Sequence, residues 1–446
     1  MDSDASAVRP KELLSVTDGV FLMVGMVIGV GIFKAPSIVA ANTSSTWQFL
    51  FAWLLGGAAS LCGALVYAEL ASRHPDTGGE YSFLSRGMGR GWAFLFAWSR
   101  LTVIQTGAIA AVAFVLGDYA SEIFSFGKYS SAIWAALSVV LLTILNIAGT
   151  LQTKQLQKAM EIMLIAGLVL LGVAGLFLSG APKPAAAAGS GGSFGLAMIF
   201  VLLTYGGWNE AAYLSGEVRD ARRNMLRVLV IGILAVTALY LLVNVGYVAA
   251  LGLAGMRESK AVAADVIRLI AGERAAVLLA LIVCVSALTT INAAIFTGAR
   301  ASYALGRDFR VFAGLGTWSA RGSTPVNALL LQGAITLALV AAGSTTPDGF
   351  SAMVAYTSPV FWLFIYLTGA TLFAYRDKDR EKPLVRVPLY PHVPIAFSIV
   401  CLYMLYSSID YIRNPMFGPK FGALVLAGLA VMAAGIPLYL LTRKQK

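Results

Sequence analysis

Twelve apolar stretches, each near the roughly 20 residues that a helix needs to cross a bilayer, dominate this 446-residue chain. They fall at about 17–41, 47–72, 91–117, 130–149, 157–179, 194–216, 225–252, 273–304, 325–342, 350–374, 393–412 and 420–442. Hydrophobic residues make up 58% of the chain and charged ones 12%, against about 25% charged in soluble domains. Mean hydropathy is +0.78. The expectation is an all-α integral membrane protein of twelve transmembrane helices, and a soluble fold is excluded. Met1–Lys11 is polar and lacks a cleavable-signal pattern, so the first apolar stretch is retained as a span.

Two of these stretches are interrupted. Gly25–Phe33 reads GMVIGVGIF and places Gly25, Gly29 and Gly31 within seven residues. Thr204–Asn209 reads TYGGWN inside the sixth stretch. Glycine weakens a helix and lets backbone approach a ligand. At membrane depth, freed N–H and C=O groups are tolerated only where they line a cavity or meet a partner. Glycine-broken segments in matching positions of two halves point to a transporter's binding site. The alternative for Gly25 and Gly29 is a GxxxG packing face.

Charge placement supplies the topology. With the N-terminus inside, 23 Lys and Arg fall in inside segments and eight outside, with Lys34 and Arg100 within spans. This asymmetry puts both termini in the cytoplasm. The net charge of +11 is thereby a topology signal and gives no reason to invoke nucleic acid. Cys62, Cys284 and Cys401 lie in apolar stretches, and His74 and His392 are distant loop residues. No disulfide framework, metal spacing, catalytic triad or phosphate loop is present in the sequence.

The count divides the chain into a tail at 1–15, a first five-span unit at 16–179 and an outside Gly/Pro/Ser-rich connector at 180–193. A second, inverted unit follows at 194–374, and two appended spans with the C-terminus fill 375–446. The broken span leads each unit.

At this point the chain resembles an amino acid–polyamine–organocation permease of the L-type amino-acid transporter branch. The resemblance rests on GMVIGVGIFKAP (25–36), TGGEYSFLSRGMGRGWAFLFAW (77–98), TYGGWNEAAYLSGEVRDARRN (204–224), NAAIFTGARASYALGRD (292–308) and EKPLVRVPLYP (381–391). It implies a leucine-transporter-like, five-plus-five inverted repeat with helices 1 and 6 broken, and alternating access of an amino acid around the breaks.

An α-amino acid is zwitterionic, so a site must satisfy both ends. The half-helix starting near Gly29–Gly31 offers free N–H groups and a positive dipole end, which suits a carboxylate. The resemblance assigns this role to the backbone of Gly29, Val30 and Gly31, with Val30 where relatives often carry Ser. It assigns the amine to the carbonyls of Val27, Leu203 and Gly206. Leu203 also stands where relatives place a bulky gate, and Tyr205, Trp208, Asn209 and Glu210 complete the motif. Trp208 reads equally as a core or interfacial aromatic. The neutral amide of Asn209 argues against a cationic substrate. Val103, Ile104 and Gly107 match side-chain pocket positions and are apolar or small, which favours neutral amino acids; lipid-facing or core packing is the alternative.

Charged residues within spans are functional candidates. Glu210 adjoins the second break, with an ion pair as its alternative. Lys34 is expected to snorkel outward, Arg100 to face the inside funnel, and Glu161 to take a surface role. Glu69, Glu217 and the arginines at 219–227 are expected to close an inside network against Asp18. Many relatives carry a lysine in span five, where this chain has Leu164. Thr289 and Thr290, with the carbonyls of Gly25 and Ile28, form a candidate Na+ site; their alternative is bonding to their own helix. Na+ coupling, H+ coupling and exchange all stay open, and no other cofactor is expected.

A non-transporting, permease-like sensor is the different-class alternative. A channel lacks its polar stripe, and an enzyme lacks a catalytic cluster. Relatives that bind a heavy subunit use an outside cysteine between spans three and four. Residues 118–130 contain none, so a stand-alone permease in a bacterial cell membrane is expected, its partners being the amino acid and the bilayer. Asn42-Thr43-Ser44 is a formal glycosylation sequon on the outside.

Overall fold

A computed structural model describes residues 15–73, 79–149, 154–178, 192–211, 218–319, 324–378, 383, 385–413 and 418–443. Among these, ten helices are long and apolar enough to cross a membrane, and a bent pair makes eleven. The tail at 1–14, nearly all of the 180–193 connector, and Glu217 lie outside the described residues.

The first stretch is the bent pair. Helix α1 (Val16–Val27) opens on a capping box in which the Ser15 hydroxyl accepts from the Asp18 N–H and the Asp18 carboxylate accepts from the Ser15 N–H. It ends at Ile28, and α2 (Gly31–Ala41) restarts at an angle of 56°. Helix α3 (Thr46–Arg73) is the second span. A short helix α4 (Glu80–Gly87) lies in the loop that follows. The third span runs through α5 (Arg90–Ser99), a π-helical turn at Arg100–Ile104, and α6 (Gln105–Ile123). The π turn was not apparent in the sequence. It exposes backbone to side-chain partners, and the Tyr356 hydroxyl donates to the Thr102 carbonyl at 3.0 Å.

Helices α7 (Ser130–Ile147) and α8 (Lys154–Leu178) follow. Beyond the connector comes α9 (Phe194–Thr204), an apolar helix of 11 residues. The turn Tyr205–Gly207 follows, then α10 (Trp208–Ala211). Next come α11 (Ala221–Glu258), kinked at Gly252, and a short α12 (Val262–Ala271). Helices α13 (Glu273–Asp308), α14 (Val326–Gly343), α15 (Gly349–Lys378), α16 (His392–Arg413) and α17 (Gly418–Arg443) finish the chain. The broken helices pack inside the bundle, α1 and α2 against α11, and α9 against α2, α3 and α16.

Small residues set these contacts. A Cβ on Gly56 would lie 2.3 Å from Val201, and one on Gly57 would lie 2.2 Å from Thr237, so α3 meets α9 and α11 through glycine. Close backbone approach through small residues is the usual route to packing where lipid supplies no hydrophobic drive between helices.

Candidate functional site

The two breaks interlock. Gly207 has φ +104, and a Cβ there would lie 2.3 Å from the Met26 carbonyl oxygen. Gly31 abuts Thr204, whose Cα would lie 3.3 Å from an added Cβ. The end of α1 therefore packs on the second break, and the start of α2 on the end of α9. Around Gly29 the space is open, with nothing within 4 Å of an added Cβ. At the start of α2 the Phe33 N–H donates to Val30 O at 3.1 Å, while the Gly31 and Ile32 N–H groups lie ahead of the helix's own ladder.

The carbonyls on the amine side have partners. Val27 O accepts from the Tyr240 hydroxyl at 3.2 Å, and Leu203 O accepts from the Gly206 N–H at 3.0 Å. Leu203 is half-exposed at 39%, while Tyr205 and Trp208 are buried. The rings of both face α3. The Tyr205 hydroxyl donates to Trp53 O at 2.9 Å, and Trp208 is wedged between Tyr67 and Phe397, with centroids 5.2 and 5.8 Å away. Trp208 is a core aromatic, for which Gly63 makes room. Asn209 donates to Glu80 Oε1 at 3.1 Å, and the Arg100 guanidinium stands 4.0 Å from the other carboxylate oxygen. Glu210 falls on α10, and its side chain lies outside the described set.

Val103 and Ile104 sit in the π turn, Val103 fully buried and Ile104 partly so. Gly107 is a packing glycine, since a Cβ there would lie 2.1 Å from Thr357. Thr289 and Thr290 both donate to Ser286 O, at 2.7 and 3.1 Å. Gly25 faces the Glu161 carboxylate, which an added Cβ would approach to 2.7 Å, and Ile28 is buried.

Three expectations for charged residues change. Lys34 does not snorkel; it is buried, with its ammonium 2.8 Å from Asp118, 3.2 Å from Asp348 and 3.4 Å from Lys260 O. Two carboxylates from α6 and the start of α15 outweigh the pull of water. Glu161 is half-buried against α1 rather than on the surface, because Gly25 leaves it room. Glu69 is fully buried and gathers Arg73, Arg376 and the Val387 N–H, which ties α3 to α15 and the following loop instead of to Asp18.

Two cavities flank the breaks. One of about 370 Å³ is lined by Lys34, Asp118, Lys128, Arg257, Lys260 and Asp348, among others. The other, about 360 Å³, is lined by Tyr81, Arg100, Gln105, Thr297, Arg300 and Asp308, among others. Neither is lined by residues 25–31 or 203–209. Outside the spans, burial and the neighbouring Asp308 push the Tyr81 phenol up to about 12. Burial alone would raise the Asp348 carboxyl, but Lys34 and Ser351 hold it below its ordinary range.

A bundle of membrane-length helices with two interlocked breaks at its centre and cavities on either side is the architecture of a secondary transporter. The chain belongs to the amino acid permease family, whose model matches residues 14–432. It is 30% identical over 435 residues to the b(0,+)-type amino acid transporter 1 of Mus musculus, covering 93% of this chain and 86% of that protein. It is 28% identical over 436 residues to the serine/threonine exchanger SteT of Bacillus subtilis, with 95% of each covered. Against the human cystine/glutamate transporter it is 26% identical over 447 residues, covering 97% of this chain and 86% of that one.

Proposed function

We propose that this permease exchanges neutral amino acids across the cell membrane by alternating access about the two breaks. The observation that carries the reading is the open space at Gly29, between the first-turn N–H groups of α2 and the carbonyls closing α1 and α9. A carboxylate suits the first and an ammonium the second. The apolar side chains of Val103 and Ile104, and the neutral Asn209, favour an uncharged substrate side chain. The similarity to a serine/threonine exchanger supports exchange as the mode. In this reading α9, the second break and α10 form a sixth, broken span, bringing the count to twelve, with both termini cytoplasmic and the membrane bacterial.

Exchange requires no coupling ion. The hydroxyl protons of Thr289 and Thr290 are engaged within α13, and their oxygen lone pairs stay available. No enzymatic step is assigned. The permease acts without a heavy subunit, since Cys62, Cys284 and Cys401 all lie within membrane-length helices and residues 118–130 carry no cysteine.

Purified protein in liposomes tests this. Uptake of labelled serine, threonine, alanine or leucine should require unlabelled amino acid inside and ignore a Na+ gradient. Concentrative uptake into empty vesicles that depends on Na+ and disappears in Thr289→Val would replace exchange with coupling. No transport of any amino acid would leave the sensor reading.

A further inference from the structure

The cavity of about 360 Å³ is walled by the π turn, the end of α13 and Tyr81 of α4. Two half-buried guanidiniums, Arg100 and Arg300, line it. Arg100 stands 4.0 Å from the Glu80 carboxylate, beyond hydrogen-bond distance. Arg300 donates to the Phe296 carbonyl of its own helix at 3.3 Å and lies 3.2 Å over the Phe296 ring centroid. Among the described residues no carboxylate pairs with Arg300. The acid in the lining, Asp308, accepts from the Tyr81 hydroxyl at 3.1 Å. It lies eight positions beyond Arg300 on α13, about 12 Å along the helix axis.

The π turn builds one wall of this space. An α-helix sets residues three and four apart over one another, whereas a π turn does so for residues five apart. Here the Gln105 N–H closes on the Arg100 carbonyl. Arg100, Leu101 and Gln105 thereby share the cavity face, while Val103 turns into the core. The Gln105 side-chain amide donates to Ala294 O at 3.0 Å and ties the turn to α13.

Charged side chains within spans are costly, and they mark substrate and ion pathways. Two guanidiniums facing one space without a close counter-ion leave positive charge uncompensated there. A carboxylate compensates it, because a guanidinium offers paired N–H donors that match the two oxygens. The volume lies within the range of small-ligand sites, about 300–1,000 Å³. Phe96 and Leu305 supply an apolar wall that suits an uncharged side chain.

We propose that this cavity is a carboxylate-binding exit site, in which Arg100 and Arg300 take the substrate's carboxylate between the Gly29 space and the cytoplasm. This rests on the amino-acid reading and the orientation proposed above, and adds to them a second site on one face only. The exit site reads the carboxylate, whereas the breaks read both ends of the zwitterion. Arg100 also reaches the second break. Glu80 accepts from Asn209 of α10 at 3.1 Å and faces Arg100 across the 4.0 Å gap. A carboxylate that takes Arg100 competes with Glu80 for it, so substrate arriving in the cavity loosens the setting of the carboxylate that holds α10.

Exchange of labelled serine is measured from each face separately, with right-side-out and everted membrane vesicles. In Arg100→Gln the KM at the cytoplasmic face should rise about ten-fold, the loss expected for one hydrogen bond between charged groups. The outer-face KM should move less than two-fold. Arg100→Lys keeps the charge and should recover part of the loss. A rise of equal size at both faces, or no rise at the cytoplasmic face, would overturn the proposal. Should the variants fail to reach the membrane, propionate tests wild type directly, since it has a carboxylate and no amine. It should compete with serine at the cytoplasmic face at a concentration at least five-fold lower than at the outer face. Equal potency at the two faces overturns the exit site. Inhibition from the cytoplasmic face that lowers kcat and leaves KM unchanged overturns it too, and assigns the arginines to a separate cytosolic anion. Failure of wild type to exchange any amino acid is a distinct outcome, which refutes the underlying reading instead.

Discussion

The Lys34 ammonium and the Asp118 carboxylate lie 2.8 Å apart, Lys34 buried and Asp118 nearly so, and Asp348 completes the group at 3.2 Å. The three residues join α2, α6 and the start of α15 at one cavity wall. The ion group is therefore a brace that ties α2 to α6 and to the start of α15. Breaking a buried pair by removing one partner costs about 3–5 kcal/mol, because a charge is left uncompensated. Lys34→Met is expected to lower the thermal midpoint by several degrees and slow exchange. Combining it with Asp118→Asn and Asp348→Asn should recover most of the midpoint, since no unpaired charge then remains. A Lys34→Met midpoint equal to wild type would sink the idea.

The sign of the pH dependence follows from Asp348. Its carboxyl is depressed below the ordinary 3.8, so its pairing is present above that value and is lost only as pH falls through the lower folded-state value. Stability and exchange should therefore be flat with respect to this group between about pH 5 and 8. Thermal midpoints measured across that range in wild type and Asp348→Asn test it. A loss centred in that window, present in wild type and absent from Asp348→Asn, would contradict the assignment.

Much of this was readable from the sequence, for identifiable reasons. Three glycines within seven residues, and the Gly206-Gly207 pair, mark the two breaks, and at the second Gly207 takes a positive φ against Met26. Ser15 and Asp18 close a capping box at the start of α1, a local signal that the reading of the apolar stretches did not use. The partners of Lys34 were not readable, since Asp118 and Asp348 arrive from distant segments and nothing local distinguishes a braced lysine from a snorkelling one. Tyr240 was missed because a tyrosine in an apolar helix reads as packing until its hydroxyl is placed on two carbonyls. The π turn left no mark in Arg100–Ile104, a sequence any α-helix accepts.

The glycines of the breaks separate packing from binding. Gly207→Ala meets a backbone oxygen at 2.3 Å in a conformation that L residues rarely adopt, and backbone cannot yield as a side chain tip does. It is expected to abolish exchange and depress the thermal midpoint together. Gly29→Ala meets nothing within 4 Å, so folding should be unaffected. Its methyl group would enter the space assigned to the substrate, and the apparent KM should rise. A Gly29→Ala protein with wild-type KM would show that the substrate lies elsewhere.

Asn209 and Glu80 form the other brace, in which a side-chain amide on α10 is held by a carboxylate on α4 that also faces Arg100. Glu80 is nearly buried, so the polarity of its partner matters. Asn209→Asp would set two carboxylates together at hydrogen-bond distance, a repulsion that favours separation of α10 from α4. Glu80→Gln alone keeps the shape and weakens the attraction to Arg100. The double variant places an Asp acceptor opposite a Gln donor and restores the bond in reverse. Exchange rates should fall markedly in Asn209→Asp and recover in the double variant, with a coupling of about 0.5–3 kcal/mol for residues in contact. Additive losses would mean that the 3.1 Å bond carries no energy in the transport cycle. Recovery would identify the α4 loop as part of the gate on that side, because its carboxylate would then be setting the position of the helix that continues from the second break.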